Sequence, residues 1–374
     1  QFLSGYTYPS GNYIYGGNTI SGMIDTGTPN PNITWESSQI YDIGLDISLW
    51  NRQLEIETDV FYRKREGLLA RRTTQLPSTF GATLPYENLN SDDARGFEIF
   101  VGHNSSIGEI KYRITSNLSW TRIKNKHLEQ RDFNNQFDQW RNNSENRWNN
   151  LYWGYKAVGQ FQSIDDIQAS PIQDSRANST LRPGDIKYED FNKDGIVDGN
   201  DIQIIGRGQT PEITYGLGLM ASWKRITFDM NWQGASRSNI QQQHFLIQPF
   251  ANGMNAYAYF LDRWHRADPW NADSEWIPGK YPSTINDGAP NNKWNSSFWL
   301  LNATYFRLKL LSIGYSLENN LFKEWGIQNL VVSFSGQNLI TLSKLGPIDP
   351  ETPSGRLSYY PQQKTYNIGL NVTF

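Results

Sequence analysis

The chain has 374 residues, a net charge of −3 and a pI near 5.9, so it is long enough to bury a large core and lacks the basic excess that nucleic-acid binding requires. It contains no cysteine, which excludes a disulfide framework and any thiolate metal site. No run of about eighteen apolar residues occurs, which excludes a transmembrane helix.

The first residues, Gln1-Phe-Leu-Ser-Gly5, have neither a basic n-region nor an apolar h-region, so a leader is expected to have been removed or the chain to begin inside a longer protein. Residues Gln1 to Gln39 read as a loop rich in Gly, Pro, Asn and Thr, with a short strand around Tyr13-Ile14-Tyr15. Then Tyr41, Ile43, Leu45, Ile47 and Leu49 alternate with Asp42, Gly44, Asp46 and Ser48. A tight turn at Trp50 to Gln53 leads to Leu54, Ile56, Thr58, Val60 and Tyr62 on one parity and Glu55, Glu57 and Asp59 on the other, which makes the pair a hairpin. A long polar connection is expected from Arg63 to about Asp93, with Asp92-Asp93 solvated there.

The third strand carries Phe97, Ile99 and Val101 and is expected to turn at Asn104 to Gly108; the fourth carries Ile110, Tyr112, Ile114, Leu118 and Trp120. After a very long connection from about Thr121 to Glu212 come Ile213, Tyr215, Leu217, Leu219, Ala221 and Trp223, a turn at Lys224-Arg225, and Ile226, Phe228, Met230 and Trp232. A second long connection, from Gly234 to about Asn302, precedes a strand over Phe306 to Leu317 whose parity changes at Leu310-Leu311, the mark of a bulge. Leu330, Val332 and Phe334 form the eighth strand, and a loop through Pro347 and Pro350 leads to the ninth.

In that last stretch Tyr366, Ile368, Leu370, Val372 and Phe374 alternate without a break with Asn367, Gly369, Asn371 and Thr373. By itself this fits an edge strand of a soluble sandwich as well as a tilted membrane-spanning strand. The connections decide it. They alternate short and long, as in an outer-membrane barrel with short periplasmic turns and long external loops. Aromatics recur at strand ends, at Tyr41, Trp50, Tyr62, Trp120, Trp223, Trp232, Tyr366 and Phe374, where interfacial girdles lie. The mean hydropathy of −0.63 is no objection, because the lumen and loops of a barrel are both wet. Nine strands is odd, and an open sheet would leave unpaired backbone groups in lipid, so the chain is expected to be the C-terminal part of a larger barrel.

The sharpest local pattern is Asp190-Phe-Asn192-Lys-Asp194-Gly195-Ile196-Val-Asp198-Gly-Asn-Asp201. It has the spacing of a calcium loop, with oxygen side chains from Asp190, Asn192, Asp194, Asp198 and Asp201, the Ile196 carbonyl at the seventh position and Gly at the sixth for the sharp turn. The last ligand is Asp rather than Glu and no helical pattern precedes the loop, so a rigid Asx/Gly turn without metal stays open as an alternative to calcium. The four His show no metal spacing and no catalytic constellation stands out, so the chain is not expected to be an enzyme. The loop tryptophans Trp140, Trp148, Trp153, Trp264, Trp270 and Trp276 are candidate ligand-binding faces, although packing is the commoner use of any single one. Tyr155, Trp294 and Trp299 belong to the same set.

Together these segments resemble the SusC/RagA-type TonB-dependent transporters, in order and along nearly the whole chain. The resemblance is carried by Pro29-Asn-Pro-Asn-Ile-Thr-Trp35-Glu36, Tyr41 to Asp46, Arg95-Gly-Phe-Glu98, Gly154-Tyr-Lys156, Gly159-Gln-Phe-Gln-Ser163, Pro183-Gly-Asp-Ile-Lys-Tyr188 and the Asp190 to Asp201 loop. It continues through Gly206, Pro211 to Gly216, Trp232-Gln-Gly234, Asn302 to Lys309, Ile313-Gly-Tyr315, Ser335 to Leu339, Asp349-Pro-Glu351, Tyr360-Pro361 and Thr365 to Phe374. The resemblance implies a 22-stranded outer-membrane barrel with an internal plug, energised by the TonB complex and capped by a SusD-like surface lipoprotein that helps capture glycans or peptides. This chain would supply about the last nine strands, with the plug and TonB box outside it. Tyr366, Ile368, Leu370, Val372 and Phe374 would then face lipid on the barrel-closing strand. A secreted or surface β-rich glycan-binding or adhesion protein is the alternative.

Overall fold

In a computed structural model the chain is an all-β protein; residues 3–73, 79, 83–250, 253, 255–284, 290–317, 323–346, 348–351, 360 and 362–374 are described. Nine long strands make the main sheet: β1 Ser37–Leu49, β2 Leu54–Arg71, β3 Tyr86–Ile107, β4 Ile110–His127, β5 Ile213–Trp223, β6 Ile226–Ser236, β7 Tyr305–Ser316, β8 Asn329–Ser343 and β9 Thr365–Thr373. Each is hydrogen-bonded to its sequence neighbours, from β1 at one edge to β9 at the other, so the sheet is an unbroken meander. No helix among the described residues is long and apolar enough to cross a membrane, which says nothing of a barrel that crosses with strands.

Period-2 patterning accounts for the strands, and local turn chemistry for the short connections. Trp50, Asn51 and Arg52 all have positive φ in the β1–β2 turn, and Lys224 in the two-residue β5–β6 turn has φ 54°. The β3–β4 turn is at Gly108 (φ 59°) and Glu109, because β3 runs on through Asn104 to Ile107, past the expected turn. The expected bulge is present in β7: Leu308 and Leu310 face consecutive positions of β6, Trp232 and Asn231, leaving Lys309 as the extra residue. The short strand expected around Tyr13 is Asn12–Tyr15, and it pairs with a second strand, Asn18–Ser21, within the stretch expected to be loop.

The main correction concerns residues 63–93. The strands continue through this stretch, to Arg71 in β2 and from Tyr86 in β3, so only 72–85 connects them. Its two faces are polar, which hides a strand from hydrophobic patterning; ion pairs replace apolar packing there. Arg65 holds Asp92 through two guanidinium nitrogens, with Nε to Oδ1 at 2.9 Å. Asp93, expected to be solvated, is 1% exposed and lies 3.6 Å from both Arg95 and Lys126. Pro347 and Pro361 fall outside the described residues.

The chain divides into two compact units, one of Gln1–Leu45, Glu57–Glu98 and Trp120–Asn149, the other of Asp46–Ile56, Ile99–Ser119 and Asn150–Phe374. In the second unit the buried apolar clusters sit mainly in the long connections. Ile186, Tyr188, Val197, Phe260 and Trp299 form one, Ile240, Leu246, Ala303, Leu345 and Ile348 a second, and Phe161, Ile167 and Leu181 a third. Many strand side chains, by contrast, are open: Ile43 is 79% exposed and Ile368 85%. Tyr41, Leu45, Tyr366, Leu370 and Phe374 are exposed as well, and Val372 is half-buried.

Candidate functional site

Two features of the connections in the second unit carry chemistry. The first is the Asp190 to Asp201 loop. Val197 is buried in the Ile186 cluster, and the Ile172 and Val197 backbones bridge by Val197 N to Ile172 O at 2.7 Å, so the loop is fixed to its surroundings. Lys193 (φ 61°) and Gly195 (φ 86°) provide the reversal. Each predicted side-chain ligand is engaged locally. Asp190 Oδ2 accepts from Gly195 N at 2.9 Å, Asn192 Oδ1 from Asp194 N at 3.0 Å, Asp194 Oδ1 from Ile196 N at 2.9 Å, and Asp198 Oδ1 from Asn200 N at 2.7 Å. Asp201 is fully buried and accepts from Phe191 N and Asp198 N, both at 2.8 Å, closing a capping box over Gly199–Asp201. Among the described residues no three acidic or imidazole side chains converge as a metal cage. One oxygen is left over: Asp190 Oδ1 is buried with no hydrogen-bond partner.

The second feature is a cavity of about 650 Å³ lined by parts of two connections. From the β4–β5 connection come Ile164, Arg182 and Pro183; from the β6–β7 connection comes the segment from Arg263 to Trp276. Gly184 (φ 89°) explains how the two approach. A Cβ there would lie 2.3 Å from Trp264 Cγ, so only a bare backbone lets the indole lie against it. Trp264 itself is 4% exposed. His265–Arg266 pairs antiparallel with Trp276–Ile277, which sets Arg266 opposite Trp276 and its guanidinium carbon 4.7 Å from the ring centre. Arg266 Nη1 donates to Ser274 O, and Arg263 Nη1 to Phe260 O at 3.2 Å. Beside the cavity the Asp185 carboxylate accepts from Asn292 Nδ2 and Arg182 N, and burial pushes its pKa up.

The six candidate tryptophans therefore separate. Trp264, Trp270 and Trp276 share this cavity. Trp140 is on the helix α1, Gln136–Asn142, beside Phe137. Trp148 lies under the guanidinium groups of Arg95 and Arg122, and Trp153 is in the ribbon strand Leu151–Gly154, opposite Ile204. Tyr155, Tyr188 and Trp294 stack on one another, with Tyr155 and Trp294 4.2 Å apart, and Trp299 is buried with its indole N–H donating to Asn292 O. Trp148, Tyr155, Trp294 and Trp299 are therefore engaged in packing, whereas Trp140 is 44% exposed. Arg182, Arg263 and Arg266 went unmarked in the sequence, and His265 was noted only as lacking metal spacing. The signal for them was the run Arg263-Trp-His-Arg266, with three basic-type side chains in four residues around a tryptophan.

The chain is 27% identical to TonB-dependent receptor P26 of Formosa agariphila, over 95% of its own length and 37% of that protein's. TonB-dependent receptor SusC of Bacteroides thetaiotaomicron is 22% identical over 92% of the chain and 32% of its own length. The chain is related to the TonB-dependent receptors. It spans about a third of the length of the curated relatives it matches. Among solved structures, the RagAB peptide transporter superposes over 100% of the chain and 38% of its own chain with a TM-score of 0.71 at 19% identity, and the RagAB peptide importer in the closed-closed state with 0.73. That likeness is one of fold. No protein-family model matches the chain.

Proposed function

We propose that this receptor-related chain forms nine strands of the wall of a TonB-dependent outer-membrane importer of oligomeric nutrients, glycans or peptides. Further strands of the same protein would close the barrel. TonB would supply the energy, a SusD-like lipoprotein would cap the outer face, and the chain itself would perform no catalysis. The observation that carries the reading is the apolar parity of β1 and β9. Ile43, Leu45, Ile368 and Leu370 stand open along a meander whose folded cores lie in its connections. In water such a band is an aggregation hazard, at about 1.5–3 kcal/mol for each side chain left unburied. In lipid the same band is satisfied. The adhesion-protein alternative has no use for it. Because the chain has no cysteine, Ile43→Cys and Ile368→Cys can each take a fluorophore in the full-length protein. Quenching by brominated lipid at both positions, and not at Asp42→Cys, is the expected result. Recovery of the protein in the soluble fraction without detergent would sink the reading.

We also propose that the Asp190 to Asp201 loop takes calcium. The support is the ligand spacing and the buried, unpartnered Asp190 Oδ1. Binding would turn Asn192, Asp194 and Asp198 inward from their local hydrogen bonds, while Asp201 stays as the cap. If Asp194→Ala leaves both calcium content and protease resistance of the loop unchanged, the loop is a metal-free turn.

A further inference from the structure

We infer that the cavity between Arg182 and the Arg263 to Trp276 segment is a binding subsite for an anionic sugar, one carrying a carboxylate or a sulfate. Its volume, about 650 Å³, is that of a small-ligand pocket. Three arginines and a histidine line it, and no carboxylate does. Among the described residues none of the three arginines has an ion-pair partner. Arg263 and Arg266 are each anchored through one nitrogen to a backbone carbonyl, which fixes the guanidinium and leaves several of its five N–H donors for a ligand. A guanidinium held in that way recognises carboxylate and sulfate oxygens in pairs. The Asp185 carboxylate is buried and turned to Asn292 and the Arg182 amide, and its attraction to the Arg182 guanidinium is weaker than either of those hydrogen bonds.

The sugar half of the inference comes from the tryptophans. Trp270 is 96% exposed, although it is at the lip of a cavity and not on a packed surface. Its amide donates to Asp268 Oδ1 at 3.0 Å, and Asp268 N in turn donates to Ser274 Oγ at 2.8 Å, which fixes the turn. An indole held open by a rigid turn has a face to offer. Trp276 is half-buried, with the Arg266 guanidinium on its ring. Flat apolar faces beside guanidinium groups suit a pyranose ring bearing a charged substituent better than they suit an extended acidic peptide. Whatever the chain's role in import, binding at this cavity can be measured without transport.

The test is calorimetric titration of the full-length protein in detergent with four probes: tri-galacturonate, a sulfated galacto-disaccharide, neutral galactotriose and tetraglutamate. The expected result is that at least one of the two anionic sugars binds about tenfold or more tighter than galactotriose and tetraglutamate. Which one binds tells carboxylate from sulfate. Arg266→Gln keeps an amide N–H for Ser274 O, and Arg182→Gln alters an exposed position. Each should weaken the anionic sugar by about tenfold and leave galactotriose unchanged. Trp270→Ala, at an open position, should weaken every sugar. Tetraglutamate binding as tightly as the anionic sugars, neutral and anionic sugars binding alike, no binding at all, or variants without effect would each overturn the inference. TonB-dependent uptake of the same sugars tests the import reading separately: binding without uptake leaves the subsite standing and removes the transport.

Discussion

Arg307→Met should loosen the β8–β9 connection far more than it loosens the strand that carries it. Arg307 is at the end of β7, and its side chain is 3% exposed. It donates through Nε to Thr341 Oγ1 at 2.9 Å, through Nη1 to Glu351 Oε2 at 2.8 Å, and through Nη2 to both oxygens of Asp349 at 3.0 and 2.9 Å. Asp349 in turn accepts from Glu351 N at 2.9 Å and Gln362 N at 3.2 Å, so the guanidinium organises the far side of the connection through one carboxylate. Removing it strands two buried carboxylates unequally. Glu351 keeps Lys309 Nζ at 2.9 Å, whereas Asp349 loses its guanidinium. Breaking a buried pair by removing one partner costs about 3–5 kcal/mol, because the survivor remains desolvated. At about 1.4 kcal/mol per tenfold, that is roughly two to three and a half decades of amide protection. Hydrogen exchange of Glu351 and Gln362 reads it directly. Removing the opposing carboxylates as well, as Arg307→Met with Asp349→Leu and Glu351→Gln, should recover most of the stability loss as read by thermal unfolding, since an apolar replacement of a whole buried network is often neutral. It should not recover the protection of Glu351 and Gln362, whose amides lose their Asp349 acceptor. Unchanged protection at Glu351 and Gln362 in Arg307→Met would refute the reasoning, as would a combined variant less stable to heat than the single one.

Gly234→Ala in β6 places a Cβ 2.3 Å from the Tyr215 ring and 2.6 Å from the Tyr305 carbonyl oxygen. The ring must leave, with its hydroxyl bond to Tyr305 O at 2.9 Å, and the backbone oxygen cannot; a loss of about 2–4 kcal/mol is expected in thermal unfolding. In the 174–180 turn, burial opposes ionisation of Asp174, but hydrogen bonds from Thr180 N and Oγ1, Arg176 N and Asn178 N outweigh it and hold the pKa below the usual carboxylate value. A depressed folded pKa means stability present above the ordinary carboxylate range and lost as pH falls through the folded value. The amides of Arg176, Asn178 and Thr180 should therefore lose protection, after correction for intrinsic exchange, on going from pH 6 to below pH 3.5, and Asp174→Asn should abolish that pH step.

The sheet was legible wherever one parity was apolar, because successive side chains of a strand point to opposite faces and an apolar face then shows at every second residue. The parity change at Leu310-Leu311 was enough to locate a bulge, which the pairing of Leu308 and Leu310 with adjacent residues of β6 confirms. Where the strands are polar on both faces, as in the stretch holding Arg65, Asp92 and Asp93, the pattern vanished although the strand did not. Hydrogen bonding to neighbouring strands makes a strand, and alternation only reports what its faces touch. The Pro183 to Tyr188 segment was recognisable as a motif, but its physical content emerged only with its partners: Gly184 is bare because Trp264 lies on it, and Ile186 and Tyr188 are core.

The same limit explains the tryptophans. Trp264 and Trp270 are six residues apart in the same segment, one 4% exposed and the other 96%. Nothing in either residue's neighbourhood along the chain foretells that difference. It is set by Gly184, some eighty positions earlier, which receives the first ring and so leaves the second at the lip of a cavity whose other wall carries Arg182. Aromatic composition could nominate six side chains for ligand contact, and composition alone could not divide them. What divides them is which ones share a space with cations that have no ion-pair partner among the described residues. Trp148 also meets arginines, but there Arg95 and Arg122 cover the ring, so the contact is consumed in packing. At Trp270 the ring is open and the cations beside it are not spent on carboxylates. That contrast, more than the number of aromatic residues, is the reason to look for ligand at this cavity first.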